Sequence, residues 1–141
     1  PPQRAARPSA MISACVPTAI AMSIFDLQLE TDRLILRPPR AEDFDAFLRF
    51  CSDPEVVQHL GGVQAPSQAW RSFSCLVGSW HLYGFSMFSV IEKSSGDWVG
   101  RMGPWQPLDW PGTEVGWAFC RCVTNLKVRK KFSRHCLHFF N

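Results

Sequence analysis

The sequence predicts an α+β domain built on one mainly antiparallel sheet with flanking helices, and three observations carry that prediction. Apolar residues switch between a period of two and a period of 3.6 in the order β–α–α–α–β–β–β. Two of the later strands are joined by a short polar turn and so pair as a hairpin. The chain has 141 residues, 46% hydrophobic and 19% charged, which suits one core and leaves little room for a second. No apolar run is long enough to cross a membrane as a helix. Six cysteines at irregular spacing do not make a secreted disulfide framework and read as reduced thiols in a cytoplasmic protein.

The first strand spans Leu27 to Arg37, where Leu27 and Leu29, then Leu34 and Leu36, recur at a period of two before Pro38-Pro39 stop the run. A helix follows from Arg40 to Cys51. Phe44, Phe47, Leu48 and Cys51 share one face, and Glu42, Asp43 and Asp45 lie in the first turn, where the helix dipole favours anions. Asp53-Pro54 opens a short second helix, cap then proline, and Gly61-Gly62 ends it. Ser67 can cap a third helix with Trp70, Phe73, Val77 and Trp80 on its apolar side and Gly84 as the stop. Phe85 to Glu92 alternates as a strand, Lys93 to Asp97 is a turn, and Trp98 to Met102 returns. Gln106 to Gly112, with two prolines and a glycine, is a loop, and Thr113 to Phe119 is the last strand.

Charge divides the chain into three parts. Residues 1–21 carry +2, residues 22–119 carry −5, and residues 120–141 carry +6 with no acid. Residues 1–21 read as a disordered leader, with Met22 a plausible start; Pro17 breaks the apolar stretch that would otherwise resemble a signal peptide. Residues 22–119 are the domain proper, and residues 120–141 are a basic tail.

Several strings in that domain resemble the GNAT superfamily of N-acetyltransferases, in its RimJ/RimL-like branch. Leu29-Glu30-Thr31-Asp32-Arg33-Leu34-Ile35-Leu36-Arg37-Pro38 looks like the opening strand, and Asp53-Pro54-Glu55-Val56 like the second helical segment. Phe88 to Glu92, Gly96 and Val99-Gly100-Arg101-Met102-Gly103 look like the central hairpin. Glu114-Val115-Gly116-Trp117-Ala118-Phe119 is similar to the strand that runs beneath acetyl-CoA. The resemblance implies acetyl transfer from acetyl-CoA, as co-substrate, to the primary amine of a protein N-terminus or a small molecule. It implies that backbone groups of Val115, Gly116, Trp117, Ala118 and Phe119 bind the pantetheine arm and the thioester oxygen, and that Glu114 takes the amine proton or orients the substrate. Trp105 and Trp110 flank the Pro-rich loop and are candidates to line the amine cleft.

The family continues from such a strand into a Gly-rich turn at a helix N-terminus, which holds the pyrophosphate. Residues 120–141 contain no glycine, so the expectation is a domain truncated after the cofactor strand, its reading frame lost shortly after Phe119, with acetyl transfer impaired. Two alternatives stand beside the enzyme. One is an inactive GNAT-fold interaction module, self-associating or binding a partner through an open sheet edge. The other is a binder working through the tail: nucleic acid along Lys127 to Arg134, or zinc at Cys120, Cys122, His135, Cys136 and His138, whose spacing fits no standard finger. Incidental thiols and a solvated tail are the simpler readings, so no metal is assigned. Most of the six tryptophans are expected in the core.

Overall fold

The structure, a computed structural model, describes residues 23–121. The leader and nearly all of the basic tail therefore lie outside the described residues, with Cys122, His135, Cys136, His138 and the Lys127–Arg134 run. Ten short elements follow in order: a 3-10 turn Ile24–Asp26, β1 (Leu29–Glu30), β2 (Leu34–Arg37), a second 3-10 turn Ala41–Asp43, α1 (Phe44–Ser52), α2 (Pro54–Val57), α3 (Pro66–Tyr83), β3 (Phe88–Glu92), β4 (Trp98–Trp105) and β5 (Glu114–Phe119). The strands form one sheet in the order β1-β2-β3-β4-β5, every neighbouring pair antiparallel. The expected α+β architecture on one antiparallel sheet is what the chain adopts, with five strands where the sequence predicts four.

Leu27 to Arg37 is not one strand. It folds back on itself, with Leu29 opposite Leu36 and Glu30 opposite Ile35. Thr31 makes the turn: its backbone N–H donates to the Leu34 carbonyl at 2.9 Å, and its Oγ1 accepts from the Leu34 N–H at 3.0 Å. The physical reason lies in parity. Leu29 and Leu34 are an odd number of residues apart, so a single strand would send them to opposite faces.

The helices begin and end as their caps dictate. Asp53 accepts from the Glu55 N–H at 3.1 Å, with Pro54 at the first helical position. In α3 the cap is Ala65 rather than Ser67. Pro66 occupies the first position, and the Ala65 N–H donates to Gln68 Oε1 at 2.8 Å. Gly84, left-handed at φ 76°, closes that helix.

Neighbouring residues of β3 belong to different cores, as a pleated strand requires. On the helix side, Ile91 and Trp98 pack with Phe47, Phe50 and Cys51 of α1 and Ala69, Phe73 and Leu76 of α3. The other core holds Val90, Leu34, Leu36, Val99, Met102 and Phe88, joined by Trp80 from the end of α3, whose indole N–H donates to the Met87 carbonyl at 3.0 Å. The tryptophan expectation fails for half of them. Trp80 and Trp98 are buried, but Trp70 on α3, Trp110 on the loop between β4 and β5, and Trp117 on β5 are exposed. Trp70 instead meets Phe44 edge-on at 4.9 Å.

Asp43 does more than meet a helix dipole. It is buried at 3% exposure, and its carboxylate accepts from both terminal nitrogens of Arg37 at 2.8 Å, from the Ser89 hydroxyl at 2.7 Å and from the Arg40 N–H at 2.9 Å. Ser89 in turn accepts from the Trp98 indole at 3.1 Å. This network ties β2, β3 and β4 to the entry of α1.

Candidate functional site

Between α3 and the β4–β5 end of the sheet lies a groove of about 510 Å³. It exists because of what the register places on the helix-facing side of these strands. Arg101 pairs with Ala118, Gly103 with Gly116, and Trp105 with Glu114. The middle pair has no side chains: Gly116 borders the groove, while a Cβ on Gly103 would meet Phe88 Cδ2 at 3.1 Å and the Ser86 carbonyl oxygen at 3.2 Å. Met87 stands against Gly116: a Cβ added there would meet Met87 Cε at 2.8 Å.

Of the residues singled out in the sequence, Glu114, Gly116, Trp117, Ala118 and Trp105 line this groove together. Val115 and Phe119 do not; Phe119 packs toward the second core, as alternation along β5 requires. Trp110 is not part of the groove wall and is 46% exposed on the loop between β4 and β5. That loop is held by Thr113 Oγ1, which donates to Gln106 Oε1 at 2.6 Å, and contains Asp109 at φ 63°. Among the described residues β5 ends the sheet, and it is fixed to β4 by a tight approach at Gly100, which pairs with Phe119.

The opposite wall comes from residues that sequence reasoning did not single out. The α2–α3 connection supplies Leu60 and Gln64, and α3 supplies Arg71, Ser72 and Cys75. Arg101 on β4 also lines the groove. Its guanidinium carbon lies 5.7 Å from the ring centre of Phe47 and 5.9 Å from that of Phe50. Burial lowers its pKa from the ordinary arginine value, and the nearby Cys51 opposes that shift. Burial likewise pushes the Cys51 thiol up, against the pull of Arg101. One signal in the sequence could have found Arg101: a charged residue on the inward-facing parity of a strand that is otherwise apolar.

Nothing among the described residues assembles three His, Cys, Asp or Glu side chains that could hold a metal ion, and only Cys120 of the zinc-type set is among them. No helix among the described residues is long and apolar enough to cross a membrane.

The profile of a family described as "Acetyltransferase (GNAT) domain" matches residues 33–141. The match therefore runs past Phe119 and over residues 120–141. Among solved structures, the fold is similar to an acetyltransferase from Agrobacterium tumefaciens str. C58, with a TM-score of 0.69 and 23% identity over 80% of this chain and 66% of that one. It is also similar to a protein described as a GnaT-family acetyltransferase from Bordetella pertussis, TM-score 0.65 and 21% identity over 81% and 71%. A GNAT-family acetyltransferase from Bacillus anthracis matches at TM-score 0.56 and 20% identity over 70% and 57%. The chain thus spans less than two thirds of the first and the third of these proteins.

Proposed function

The chain belongs to the acetyltransferase (GNAT) domain family, and from that premise we propose that it transfers an acetyl group from acetyl-CoA to a primary amine held in the groove beside β5. The observation that carries the reading is the meeting of Glu114, Gly116 and Ala118 on one face of β5, the end strand among the described residues, opposite a wall supplied by α3.

In this reading the pantetheine arm adds to β5 as a further strand would, through main-chain groups of Val115 to Phe119. The small residues Gly116 and Ala118 leave room on the groove face for the thioester. An amine nitrogen attacks only as the free base, so a proton must leave it. Glu114, at the mouth of the groove, accepts that proton directly or through a water. The nitrogen then forms a bond to the acetyl carbon, the developing oxyanion is met by strand N–H groups, and the carbon–sulfur bond breaks to release the thiol once the sulfur is protonated. Trp105 and Trp117 supply apolar walls for the acceptor. Trp110, outside the groove wall, acts on the acceptor only by movement of its loop.

Within the family we place the chain in the RimJ/RimL-like branch, on the strings Leu29–Pro38 and Asp53–Val56, with a protein N-terminus or a small molecule as acceptor. A cytoplasmic setting accords with the free thiols of Cys51 and Cys75. Residues 120–141 contain no glycine and so offer no Gly-rich turn to the pyrophosphate, which leaves them little hold on the cofactor's nucleotide end.

The test is a thermal-shift titration with acetyl-CoA and with acetyl-pantetheine, followed by thiol release with a panel of amines. Ligand at 100 times its dissociation constant stabilises the fold by about 2.7 kcal/mol. The two thioesters should shift the transition alike, and Glu114→Gln should lower kcat by about 10²–10⁴-fold while leaving the melting transition in place. Absence of any shift in folded protein would refute the reading and favour an inactive interaction module. An undiminished Glu114→Gln rate would remove Glu114 from its role.

A further inference from the structure

One row of residues crosses the helix-facing side of the sheet in register: Arg37, Ser89, Arg101 and Ala118. Its two arginines stand two strands apart, roughly 10 Å by ordinary strand spacing. Their surroundings differ. Arg37 is neutralised by the buried carboxylate of Asp43, which grips both of its terminal nitrogens. Arg101 has no acid. Its Nε is buried with no hydrogen-bond partner, and no carboxylate among the described residues stands within ion-pair distance of it. The faces of Phe47 and Phe50 offset part of the cost of burying this cation, but they cannot accept its in-plane N–H groups.

A guanidinium N–H buried without an acceptor is costly, and a protein that retains one has a use for that donor. Arg101 borders the groove from the sheet side, and Arg71 adds a second cation from the α3 wall. Glu114 stands beyond the Gly103–Gly116 pair, at the other end of the groove face. The site thus offers a carboxylate at one end and an unpaired cation at the other.

We propose that Arg101 is an anion-recognising residue of the acceptor site, so that the amine acetylated here carries a carboxylate or phosphate group that pairs with the guanidinium while its nitrogen lies toward Glu114. The direction of the amine rests on the acetyl-transfer reading; the anion site does not.

The test is an NMR titration of the ¹⁵N-labelled full chain, following the Arg101 Nε–H signal, identified by its loss in Arg101→Met. The probes are β-alanine, O-phosphoethanolamine and propylamine: an ammonium chain bearing a carboxylate, one bearing a phosphate and one bearing no anion. One or both anionic probes should move the signal saturably and bind at least about tenfold tighter than propylamine, as a hydrogen bond to a charged group gives. The tighter of the two names the anion. Arg101→Met keeps a long apolar chain over the two rings and should bind all three probes alike. A signal unmoved by both anions, propylamine binding as tightly, or a preference that survives in Arg101→Met would overturn the proposal. If that variant does not fold, the titration of the unaltered chain decides. Anion binding without acetylation of any amine would sink the acetyl-transfer reading and leave this one; acetylation of propylamine with no anion effect would do the reverse.

Discussion

Adding the same methyl group at two glycines should have opposite effects. A Cβ on Gly100 would stand 2.9 Å from the Cα of Phe119 and 2.6 Å from its Cδ1, and would press on the Ala118 carbonyl oxygen. Carbon atoms rest about 3.5–4.0 Å apart, so β4 and β5 must part by roughly 0.6 Å or more at this pair. Two of the three obstacles are backbone, which cannot rotate away. Overpacking of this kind costs about 1–3 kcal/mol. Gly78 lies in the interior of α3, and an added Cβ there meets nothing within 4 Å. Gly78→Ala should therefore stabilise by about 0.5–1 kcal/mol, by removing backbone freedom from the unfolded chain. Urea denaturation of both variants beside the unaltered chain measures the difference, which should reach about 1.5–4 kcal/mol with the slope unchanged. Gly100→Ala should also weaken the acetyl-CoA thermal shift, because the displaced strand is the one assigned to the thioester. A Gly100→Ala chain as stable as the parent would refute the claim that close approach fixes β5 in place.

Asp43→Asn should cost about 3–5 kcal/mol, the usual effect of removing one partner from a buried ion pair, while the Arg37→Met/Asp43→Leu double variant should cost less than the single one. Chemical denaturation of the two variants checks the order. The exposed Glu30 carboxylate is held below its ordinary pKa of 4.5, first by its 2.6 Å hydrogen bond from Lys93 Nζ and then by that from Gln28. A depressed carboxylate stabilises the fold fully above its unfolded pKa and loses that contribution as pH falls through the folded one, so Lys93→Met should flatten the stability profile below about pH 4.5 and leave neutral pH almost unchanged. Thermal melts across an acid series would show it, and an unaltered acid limb would contradict it.

Local signals told most of the fold. Asp53-Pro54 capped a helix where its chemistry says it should, Gly84 ended α3 in the left-handed conformation that glycine allows, and alternation placed β3, β4 and β5 within a few residues. Glu114, Gly116, Trp117 and Ala118 could be singled out because one strand carries them all. The hairpin between β1 and β2 was hidden because four leucines at a period of two outweighed the odd interval from Leu29 to Leu34. Ser67 gave way to Ala65 as a cap because Pro66 had already set the first helical turn.

The sequence by itself determined which segments alternate, where helices stop, how charge is distributed and which family the strings resemble, since each is a property of neighbours along the chain. Tertiary structure alone decided which tryptophans are covered, that Asp43 meets Arg37 and Ser89 rather than a helix dipole alone, and that α3 lies over β4 and β5 to wall the groove. It also left Arg101 without an acid among the described residues, although Arg37, in the same row, has one. These depend on sheet register and on which helix lies over which strand, and a contact between residues far apart in sequence leaves no periodic trace in either partner.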